Sequence, residues 1–345
     1  MKKLELNASN GNSLIIIGES LKNFPHYIKA QKTIIITDHQ VRHFYGNLFS
    51  QFHTIEIGAG EQIKSIETVE KIINRFLELE LDRSSFVVGL GGGIVCDLTG
   101  FVSSIYMRGL SFGFVPTTLL AQADASIGGK NGINFQNYKN ILGVFNHPKF
   151  ILCDPKLLKT LPKEEILYGI VEIIKHALIK SPSFFNYLEN NWNSLLSLNP
   201  THIEKALFQS IEIKAQVVSL DSLEAGERRK LNFGHTFGHA LEKLISIPHG
   251  KAVSIGMMAS ARISKKLGML SSSELNRIQS LLLNLKLPVD LPVNREALMD
   301  IIKKDKKRQD KEIYFVFLQG IGNAQVKKIS YKELEAYLYD IYKQI

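Results

Sequence analysis

The first half of the chain alternates short apolar runs with segments of helical periodicity. The runs "TIIITD" (33–38) and "SFVVGLG" (85–91) have the length and composition of buried strands. Between them, apolar positions recur at helical spacing from Ser65 to Leu79. This alternation is typical of a parallel sheet with helices on its faces. We therefore predict an α/β domain in the N-terminal half.

The hydrophobic pattern changes after "FILCD" at 150–154. Long amphipathic segments at 163–180 and 201–220 predict helices. Only "IYFVFL" at 313–318 and "AQVKKI" at 324–329 have the pattern of strands in this half. The second half is therefore predicted to be mainly α-helical.

Two prolines, Pro155 and Pro162, stand where the pattern changes. Each disfavours helix at the residue before it, which favours a boundary in this segment. We predict two domains, an α/β domain over residues 1–158 and a mainly helical domain over residues 159–345.

Composition narrows the class of protein. The chain has 345 residues, 45% hydrophobic and 22% charged, which is typical of a soluble globular protein. Its apolar runs are too short to predict a membrane span or an export signal. Cys96 and Cys153, the only cysteines, lack CxxC spacing and suit a reducing cytoplasm. The charge of +9 fits nucleic acid, an anionic membrane or a small anionic substrate, but no nucleic-acid-binding motif accompanies it.

A glycine cluster follows the strand at 85–91. In "VVGLGGGIVCDLTGF", Gly91, Gly92 and Gly93 precede a predicted helix, where backbone N–H groups can hold a pyrophosphate. Ile94 breaks the GxGxxG fingerprint, so tight packing is an equal explanation. Asp38, which ends the strand "TIIITD", fits either a ribose contact or a helix cap.

The segment "QADASIGGKNGIN" carries Asp124 and, after two glycines, Lys130. It does not match the phosphate-loop pattern of ATP-binding proteins, because Asn131 follows the lysine. The residues alone leave a surface turn and an anion site equally open.

Ionisable residues lie on one face of the helix predicted at 163–180. Glu172, Lys175 and His176 share that face by their spacing of three and four residues. A glutamate among apolar neighbours needs a partner, which is either Lys175 in a salt bridge or a metal shared with His176. Helical spacing leaves both alternatives open.

The segment "NFGHTFGHA" places His235 and His239 on one helix face, and Glu242 lies on the same face. These residues could form a local metal site, or the histidines could pack or cap a helix. His249 lies in a loop just before an apolar helix and is a further ligand candidate. The charge run "IIKKDKKRQDK" (301–311) is either a solvated face or a basic loop for an anionic substrate.

The ordered motifs together resemble the 3-dehydroquinate synthase family. The resemblance rests on "GGGIVCDLTGF", "VPTTLLAQADASIGGKNGIN", "LKTLP", "YGIVEIIKHALI", "RRKLNFGHTFGHA", "HGKAVSIGM" and "DKKRQ". It implies an NAD-binding α/β domain followed by a helical domain that binds metal and substrate. It further implies a phosphate-eliminating carbon–oxygen lyase (EC 4.2.3.4) of the shikimate pathway of aromatic amino acid biosynthesis. Its cofactors would be NAD+ and a divalent metal, Zn2+ or alternatively Co2+.

The implied reaction converts 3-deoxy-D-arabino-heptulosonate 7-phosphate to 3-dehydroquinate and phosphate. It proceeds by transient oxidation with NAD+, phosphate elimination, reduction and intramolecular aldol cyclisation. The partners implied are a small anionic phosphorylated substrate and a second copy of the chain in a homodimer, without nucleic acid or membrane. The implied location is the cytoplasm.

The resemblance also implies roles for individual residues. It assigns the metal to Glu172, His235 and His249, which leaves His239 for proton relay. It assigns Asp124 and Lys175 to substrate hydroxyls and Lys214 and Arg228 to the substrate carboxylate. The residues implied for phosphate are Lys130, Asn140, Asn232, one of Lys306 and Lys307, and Arg108 across a dimer interface.

The NAD-binding positions come from the same resemblance. They are Asp38, Glu61, Lys64, Gly92, Gly93, Asp97, Thr117, Thr118, Lys130, Lys139, Leu157, Leu158, Lys159 and Thr160. The sequence departs from the family at Cys96, where many relatives have glycine, and at Asn131, where many have threonine. Neither departure removes a group with an assigned role.

Three other functions fit parts of the sequence. A related sugar phosphate cyclase such as 2-deoxy-scyllo-inosose synthase would share metal and NAD, but its substrate has no carboxylate for Lys214 and Arg228. An NAD-dependent polyol dehydrogenase would not need the basic residues around Lys130 and Asn232. A nucleic-acid-binding protein would use only the positive charge.

Overall fold

The apolar runs of the N-terminal half form a sheet. The computed structural model describes residues 1–136, 138–305 and 312–342, and within them seven strands hydrogen-bond side by side. Their order is β1 (Lys2–Ala8), β2 (Gly11–Ile17), β9 (Phe150–Cys153), β6 (Ser111–Pro116), β5 (Phe86–Gly91), β3 (Thr33–Asp38) and β4 (His53–Ile57). All neighbouring pairs are parallel except β1 and β2. The predicted parallel sheet is confirmed, and the β1–β2 hairpin is an addition to it.

Three helices connect strands of this sheet: α1 (His39–Tyr45), α2 (Ile66–Glu78) and α3 (Gly93–Ile105). Helix α2 confirms the periodicity of residues 65–79, since Ser65 caps it by accepting a hydrogen bond from the N–H of Thr68. Its buried residues Val69, Ile72 and Phe76 recur at helical spacing. The apolar face that the sequence predicts is therefore the buried face.

The connection between β6 and β9 contains a short helical turn of the π type, Ala121–Ala125, and a hairpin of β7 (Lys130–Phe135) and β8 (Tyr138–Phe145). Strand β7 packs on α3, where a Cβ atom at Gly100 would overlap the buried side chain of Asn131. The Asn131 Nδ2 donates to the carbonyl oxygens of Gly129 (3.0 Å) and Asn146 (2.9 Å). The asparagine that departs from the family pattern is thus a structural residue of this hairpin.

The second half is mainly helical, as predicted. Its helices are α4 (Lys163–Lys180), α5 (Pro182–Leu196), α6 (Pro200–Leu220), α7 (His235–Ile245), α8 (His249–Lys266), α9 (Ser272–Asn284), α10 (Arg295–Asp305) and α11 (Tyr331–Tyr342). The predicted strands at 313–318 and 324–329 form the antiparallel pair β10 (Glu312–Leu318) and β11 (Ala324–Ser330). Across the described ranges, no helix is long and apolar enough to span a bilayer.

Backbone packing divides the chain into two compact units. The first comprises Met1–Gly169 and Ile203–Leu223, and the second comprises Ile170–His202 and Glu224–Ile345. The core of the first includes Ile16, Ile35 and Val88 from its sheet, and that of the second includes Phe237, Ile255 and Phe315. The units differ from the two predicted domains because most of α6 packs with the first, and the boundary at residue 158 stays a prediction.

Both cysteines lie in the core of the first unit. Cys96 on α3 and Cys153 on β9 are buried free thiols. Burial raises the pKa of each thiol well above its usual range, which suppresses the reactive thiolate. Cys96, the other departure from the family pattern, is therefore a packed and unreactive residue.

Candidate functional site

Three ligand-type side chains converge in the second unit. Glu172 of α4, His235 at the start of α7 and His249 at the start of α8 present ligand atoms that all lie within 4.8 Å of one another. The Glu172 Oε1 lies 3.5 Å from the His249 Nε2 and 3.8 Å from the His235 Nε2. Atoms that share one zinc ion at about 2.1 Å lie within about 4.2 Å of each other. The two separations from the Glu172 Oε1 therefore fit one divalent ion.

Glu172 divides its two oxygens between different partners. The Oε2 forms an ion pair with the ammonium group of Lys175, while Oε1 faces the two histidines. Both side chains of the ion pair are buried, with exposures of 0% for Glu172 and 2% for Lys175. His176 also offers a ring nitrogen within 4.8 Å of a Glu172 oxygen. Of the two alternatives for Glu172, the salt bridge with Lys175 is present, and the same carboxylate also faces ring nitrogens that could share a metal with it.

His235 is held so that its Nε2 faces Glu172. Its Nδ1 lies 3.2 Å from the carbonyl oxygen of Phe233, which a protonated Nδ1 can use as acceptor. Burial and the nearby ammonium group of Lys175 lower the pKa of His235 to about 3. The ring is therefore neutral near pH 7, which is the form that binds a metal.

His239 lies beside His235 without joining the cluster. The two rings meet edge to face with centroids 5.2 Å apart, and His239 is exposed. Among the described residues, the groups whose ligand atoms converge do not include His239. The local site of His235, His239 and Glu242 that spacing allowed is thus not the arrangement of the folded chain, and the proton-relay role of His239 stays a prediction.

His249 is the first residue of α8 rather than part of a loop, because the helix begins one residue after Pro248. Its Nδ1 lies 2.6 Å from the Glu242 Oε1, on the other side of the ring from Glu172. Burial lowers the pKa of His249, but hydrogen bonds and charge from Glu172 and Glu242 outweigh it and raise the pKa to about 10. Two carboxylates thus hold this ring from opposite sides.

Glycines allow α7 and α8 to approach closely enough to bring the histidines together. A Cβ atom at Gly256 would overlap the carbonyl oxygen of Gly234. Gly234 itself has φ +81°, and a Cβ there would lie 2.6 Å from the Met257 Cγ. The glycine before His235 is therefore required by backbone conformation and by packing.

The segment before α7 carries two residues predicted to bind substrate. Arg228 is buried, with 2% exposure, and the Asn232 Nδ2 donates to the Glu224 Oε1 at 2.5 Å. Glu224 also has a left-handed backbone (φ +63°). Glu224 was not among the predicted site residues. Its place in the polar segment "DSLEAGERRK", eight residues before Asn232, was the only available signal.

In the first unit, Asp124 and Lys214 form an ion pair, and Lys214 also donates to the Asp124 carbonyl oxygen at 2.5 Å. Lys214 is buried to 7% exposure, so its charge is taken largely out of water. The family resemblance assigned these side chains to different groups of the substrate. In the folded chain each is in contact with the other.

Lys64 joins two other predicted residues of the first unit. Its Nζ lies 2.5 Å from the Asp97 Oδ2 and 2.5 Å from the Asn140 Oδ1. Burial raises the pKa of Asp97, and the charge of Lys64 opposes that shift. Asn134, which was not among the predicted site residues, accepts a hydrogen bond from the Asn140 N–H (2.9 Å) and donates to Glu61 (2.8 Å). Asn134 thus links two predicted site residues.

Most of the predicted NAD residues follow the carboxyl ends of parallel strands. Asp38 ends β3 and caps α1 through the Val41 N–H at 2.9 Å. Others follow the ends of four more strands: Glu61 and Lys64 after β4, Gly92 and Gly93 after β5, Thr117 and Thr118 after β6, and Leu157 to Thr160 after β9. Asp97 lies within α3, and Lys130 and Lys139 lie on the hairpin of β7 and β8. Since β4 and β5 lie on opposite sides of β3, the order in which successive strands are added to the sheet reverses at β3. Such an edge is where open α/β sheets bind ligands.

Local contacts fix parts of this edge. Gly92 precedes α3, and no side chain caps that helix start. A Cβ atom at Gly92 would lie 3.2 Å from the Thr118 Cγ2. The Tyr45 hydroxyl donates to the Leu157 carbonyl oxygen (3.0 Å) and contacts the Thr160 hydroxyl (2.9 Å), which holds the segment after β9.

The remaining predicted residues are exposed in the first unit or lie outside the described residues. Lys130, Lys139 and Arg108 are exposed in the first unit, and Arg108 has a left-handed backbone with φ +65°. Lys306 and Lys307 lie outside the described residues.

Comparison of the whole fold defines its class. The structure superposes with a TM-score of 0.87 on ValA, the 2-epi-5-epi-valiolone synthase of Streptomyces hygroscopicus subsp. jinggangensis 5008, solved with NAD+ and Zn2+ bound. That pair shares 28% identity over 96% of this chain and 97% of the other. A 2-deoxy-scyllo-inosose synthase has the same fold (TM-score 0.87, 23% identity, 97% and 98% covered). The fold is that of the sugar phosphate cyclase class.

The sequence places the chain within that class. Residues 54–168 match the N-terminal model and residues 169–308 the C-terminal model of 3-dehydroquinate synthase. A 3-dehydroquinate synthase of Alkaliphilus metalliredigens (strain QYMF) is 40% identical over 98% of this chain and 99% of its own length. The chain belongs to the 3-dehydroquinate synthase family.

Proposed function

We propose that this chain converts 3-deoxy-D-arabino-heptulosonate 7-phosphate to 3-dehydroquinate and inorganic phosphate. The proposal is carried by the cluster of Glu172, His235 and His249 in a chain of this family. Two imidazoles and one carboxylate are the donor set of catalytic zinc sites, which keep a position open for substrate. The same set accepts Co2+.

A bound metal ion and NAD+ would supply a Lewis acid and a hydride acceptor, which the side chains do not provide. A divalent ion at this cluster favours deprotonation of a substrate hydroxyl, and NAD+ accepts and later returns a hydride. The chain must therefore hold the substrate, move protons and bind both cofactors. Its own residues can be assigned to those tasks.

Proton transfer is assigned to His239, and a substrate hydroxyl is assigned to Lys175. His239 is exposed and lies beside a proposed ligand, His235, so its ring nitrogens can exchange protons with water while near the metal centre. Lys175 lies against the Glu172 Oε2, and its ammonium group can donate to a substrate oxygen from that position.

Buried cations are assigned to the substrate carboxylate. Lys214 and Arg228 have 7% and 2% exposure, and an anionic group would compensate for their burial. We propose that Lys214 exchanges part of its interaction with Asp124 for the substrate carboxylate, which releases Asp124 to accept from a hydroxyl. This assignment also separates the function from that of a cyclase whose substrate has no carboxylate.

The phosphate is assigned to polar and basic residues. Lys130 and Arg108 are exposed cations, while Asn140 and Asn232 present amides that donate two hydrogen bonds each. Lys306 or Lys307 would complete this set. The left-handed backbone of Arg108 costs free energy, which is typical of a position kept for function.

NAD+ is assigned to the carboxyl edge of the sheet in the first unit. The glycine turn after β5 brings bare backbone N–H groups and the start of α3 together, which favours a pyrophosphate. Asp38 after β3 and the pair Thr117 and Thr118 after β6 flank it in the strand order, and the segment after β9 lies one strand beyond β6. A homodimer and a cytoplasmic location are further parts of this proposal.

A phosphate-release assay tests the proposal. The purified chain is given the heptulosonate phosphate with NAD+ and Zn2+ or Co2+, and phosphate and 3-dehydroquinate are measured. We expect release with both cofactors and loss of release after treatment with a chelator. Chelated enzyme should recover when metal is restored.

Two other substrates separate the alternatives. Phosphate release from glucose 6-phosphate, without release from the heptulosonate phosphate, would instead indicate a 2-deoxy-scyllo-inosose synthase. Steady accumulation of NADH with glycerol would indicate a polyol dehydrogenase, because the proposed reaction regenerates NAD+ in each turnover.

A further inference from the structure

Glu242 occupies a defined position behind one of the proposed metal ligands. Its side chain, on α7, has only 9% exposure, and its Oε1 lies 2.6 Å from the His249 Nδ1. The other ring nitrogen of His249, Nε2, faces the Glu172 Oε1 at 3.5 Å. The two nitrogens of an imidazole point in different directions, so Glu242 cannot bind the same ion through this geometry.

We propose that Glu242 is a positioning residue of the metal centre, which fixes the ring of His249 and directs its Nε2 to the ion. This inference rests on the proposed function, because it takes Glu172, His235 and His249 as the ligands. An ionised carboxylate only accepts hydrogen bonds. The contact therefore keeps a proton on Nδ1, so that the proton displaced by metal binding is the one on Nε2.

His249 needs such a partner more than His235 does. His235 is anchored by the carbonyl oxygen of Phe233, two residues away in its own chain segment, and its side chain is 12% exposed. His249 is the first residue of a helix, and its side chain is 34% exposed. The contact with Glu242 is what restrains the rotation of this more exposed ring.

Charge gives Glu242 a second effect. Lys175 already neutralises much of the charge of Glu172, so the three ligands alone provide little negative charge for a divalent ion. Glu242 adds a carboxylate whose negative charge acts on the ion through the imidazole of His249. Carboxylates in this position raise the basicity of the ligand, and their loss weakens metal affinity by about 10- to 100-fold.

The test compares metal affinity in Glu242→Ala, Glu242→Gln and the unmodified chain. Dissociation constants for Zn2+ and Co2+ are measured by competition with a chromophoric chelator, and the visible spectrum of the Co2+ form is recorded. We expect the alanine variant to bind about 10- to 100-fold more weakly and to show an altered Co2+ spectrum. The glutamine variant should bind with intermediate affinity, because its amide oxygen still accepts from Nδ1 without the charge.

Glu335→Gln is the matched control. Glu335, also in the second unit, pairs with Lys303 at 3.3 Å and is 42% exposed, so its substitution removes the same charge from a solvated position. Its dissociation constants should equal those of the unmodified chain. Thermal unfolding of each metal-free variant separates a lost ligand partner from a damaged fold. If the alanine variant does not fold, the affinity and spectrum of the isosteric glutamine variant decide.

The inference is overturned if folded Glu242→Ala binds both metals within about twofold of the unmodified chain. It is also overturned if Glu335→Gln weakens binding equally. Failure of the proposed function has a different signature, in which the unmodified chain binds metal but releases no phosphate from the heptulosonate phosphate. An unmodified chain that binds no metal overturns both.

Discussion

At the scale of single residues, neighbouring side chains of one type differ in their surroundings. His235 directs its Nε2 to Glu172, whereas His239 is exposed four residues further along the same helix. Sequence spacing treats these histidines as equivalent, and the fold separates them. Substitution can therefore distinguish a ligand from a proton carrier.

We predict that His235→Ala loses bound metal and activity, whereas His239→Ala retains metal and loses most of its turnover. Removing one of three ligands lowers the affinity for the metal ion directly. Removing a proton carrier instead slows a chemical step by about 100-fold or more. Metal content by atomic emission and kcat by phosphate release measure the two effects. Equal loss of metal in both variants would contradict the division of roles.

Lys175 gives a prediction about stability. Lys175→Met leaves the buried carboxylate of Glu172 without its cation, so the free energy of unfolding of the metal-free protein should fall by about 3 kcal/mol. Zn2+ should recover part of that loss, because the ion supplies positive charge to the same carboxylate. Urea unfolding with and without metal measures both values.

The control for this prediction is Lys303→Met. Lys303 and its partner Glu335 are 43% and 42% exposed, so breaking their ion pair should cost less than about 1 kcal/mol. An equal loss in the two variants, or no effect of Zn2+ on Lys175→Met, would be evidence against a buried pair coupled to the metal.

At the scale of elements, the geometry of the proposed metal site depends on how closely α7 approaches α8. Alanine usually stabilises a helix relative to glycine by about 1 kcal/mol. Gly256 lies inside α8, but a Cβ there would overlap the Gly234 carbonyl oxygen. We therefore predict that Gly256→Ala lowers the free energy of unfolding by about 1 to 3 kcal/mol and weakens metal binding.

Urea unfolding and metal competition measure this effect, with Gly46→Ala as control. Gly46 has φ −54° and ψ −33°, and a Cβ there would make only ordinary contacts with the Arg42 side chain, the nearest at 3.6 Å, so the change should be no loss of stability and at most a gain of about 1 kcal/mol. A stabilised Gly256→Ala with unchanged metal affinity would show that the close approach does not set the ligand geometry.

The elements themselves were largely predictable from the sequence. Helix α4 begins and ends at the predicted residues, since Pro162 precedes it and Pro182 begins the next helix. The β1–β2 hairpin was missed, although Asn10-Gly11 is a turn signal between alternating runs. Its first strand is mostly exposed, which leaves a weak hydrophobic pattern.

The site was less predictable from the residues alone. Glu172 and His235 are 63 positions apart, and only tertiary packing brings them together. Local spacing instead favoured His235, His239 and Glu242 as one group, and the resemblance to a family supplied the other ligands. Neither local spacing nor the family resemblance predicted the contact of Glu242 with His249, because that contact depends on the direction of α8 after Pro248.

At the scale of the whole molecule, the formal charge of +9 affects how an anionic substrate arrives. A positive protein attracts a substrate that carries phosphate and carboxylate, and salt screens that attraction. We predict that kcat/KM falls several-fold as ionic strength rises from about 20 mM to about 200 mM, while kcat changes little. Initial rates in NaCl and in potassium acetate measure this, and a kcat/KM independent of both salts would exclude steering by net charge.

The ion pair between Lys175 and Glu172 has a consequence for how the enzyme can be handled. A ligand carboxylate that already has an internal counter-charge does not need the ion in order to stay buried and ionised. Removal of the metal ion from the proposed site should leave the surrounding helices folded. Chelators are then expected to act as reversible inhibitors, and stored apoprotein should regain activity as fast as metal diffuses in, without a slow refolding phase.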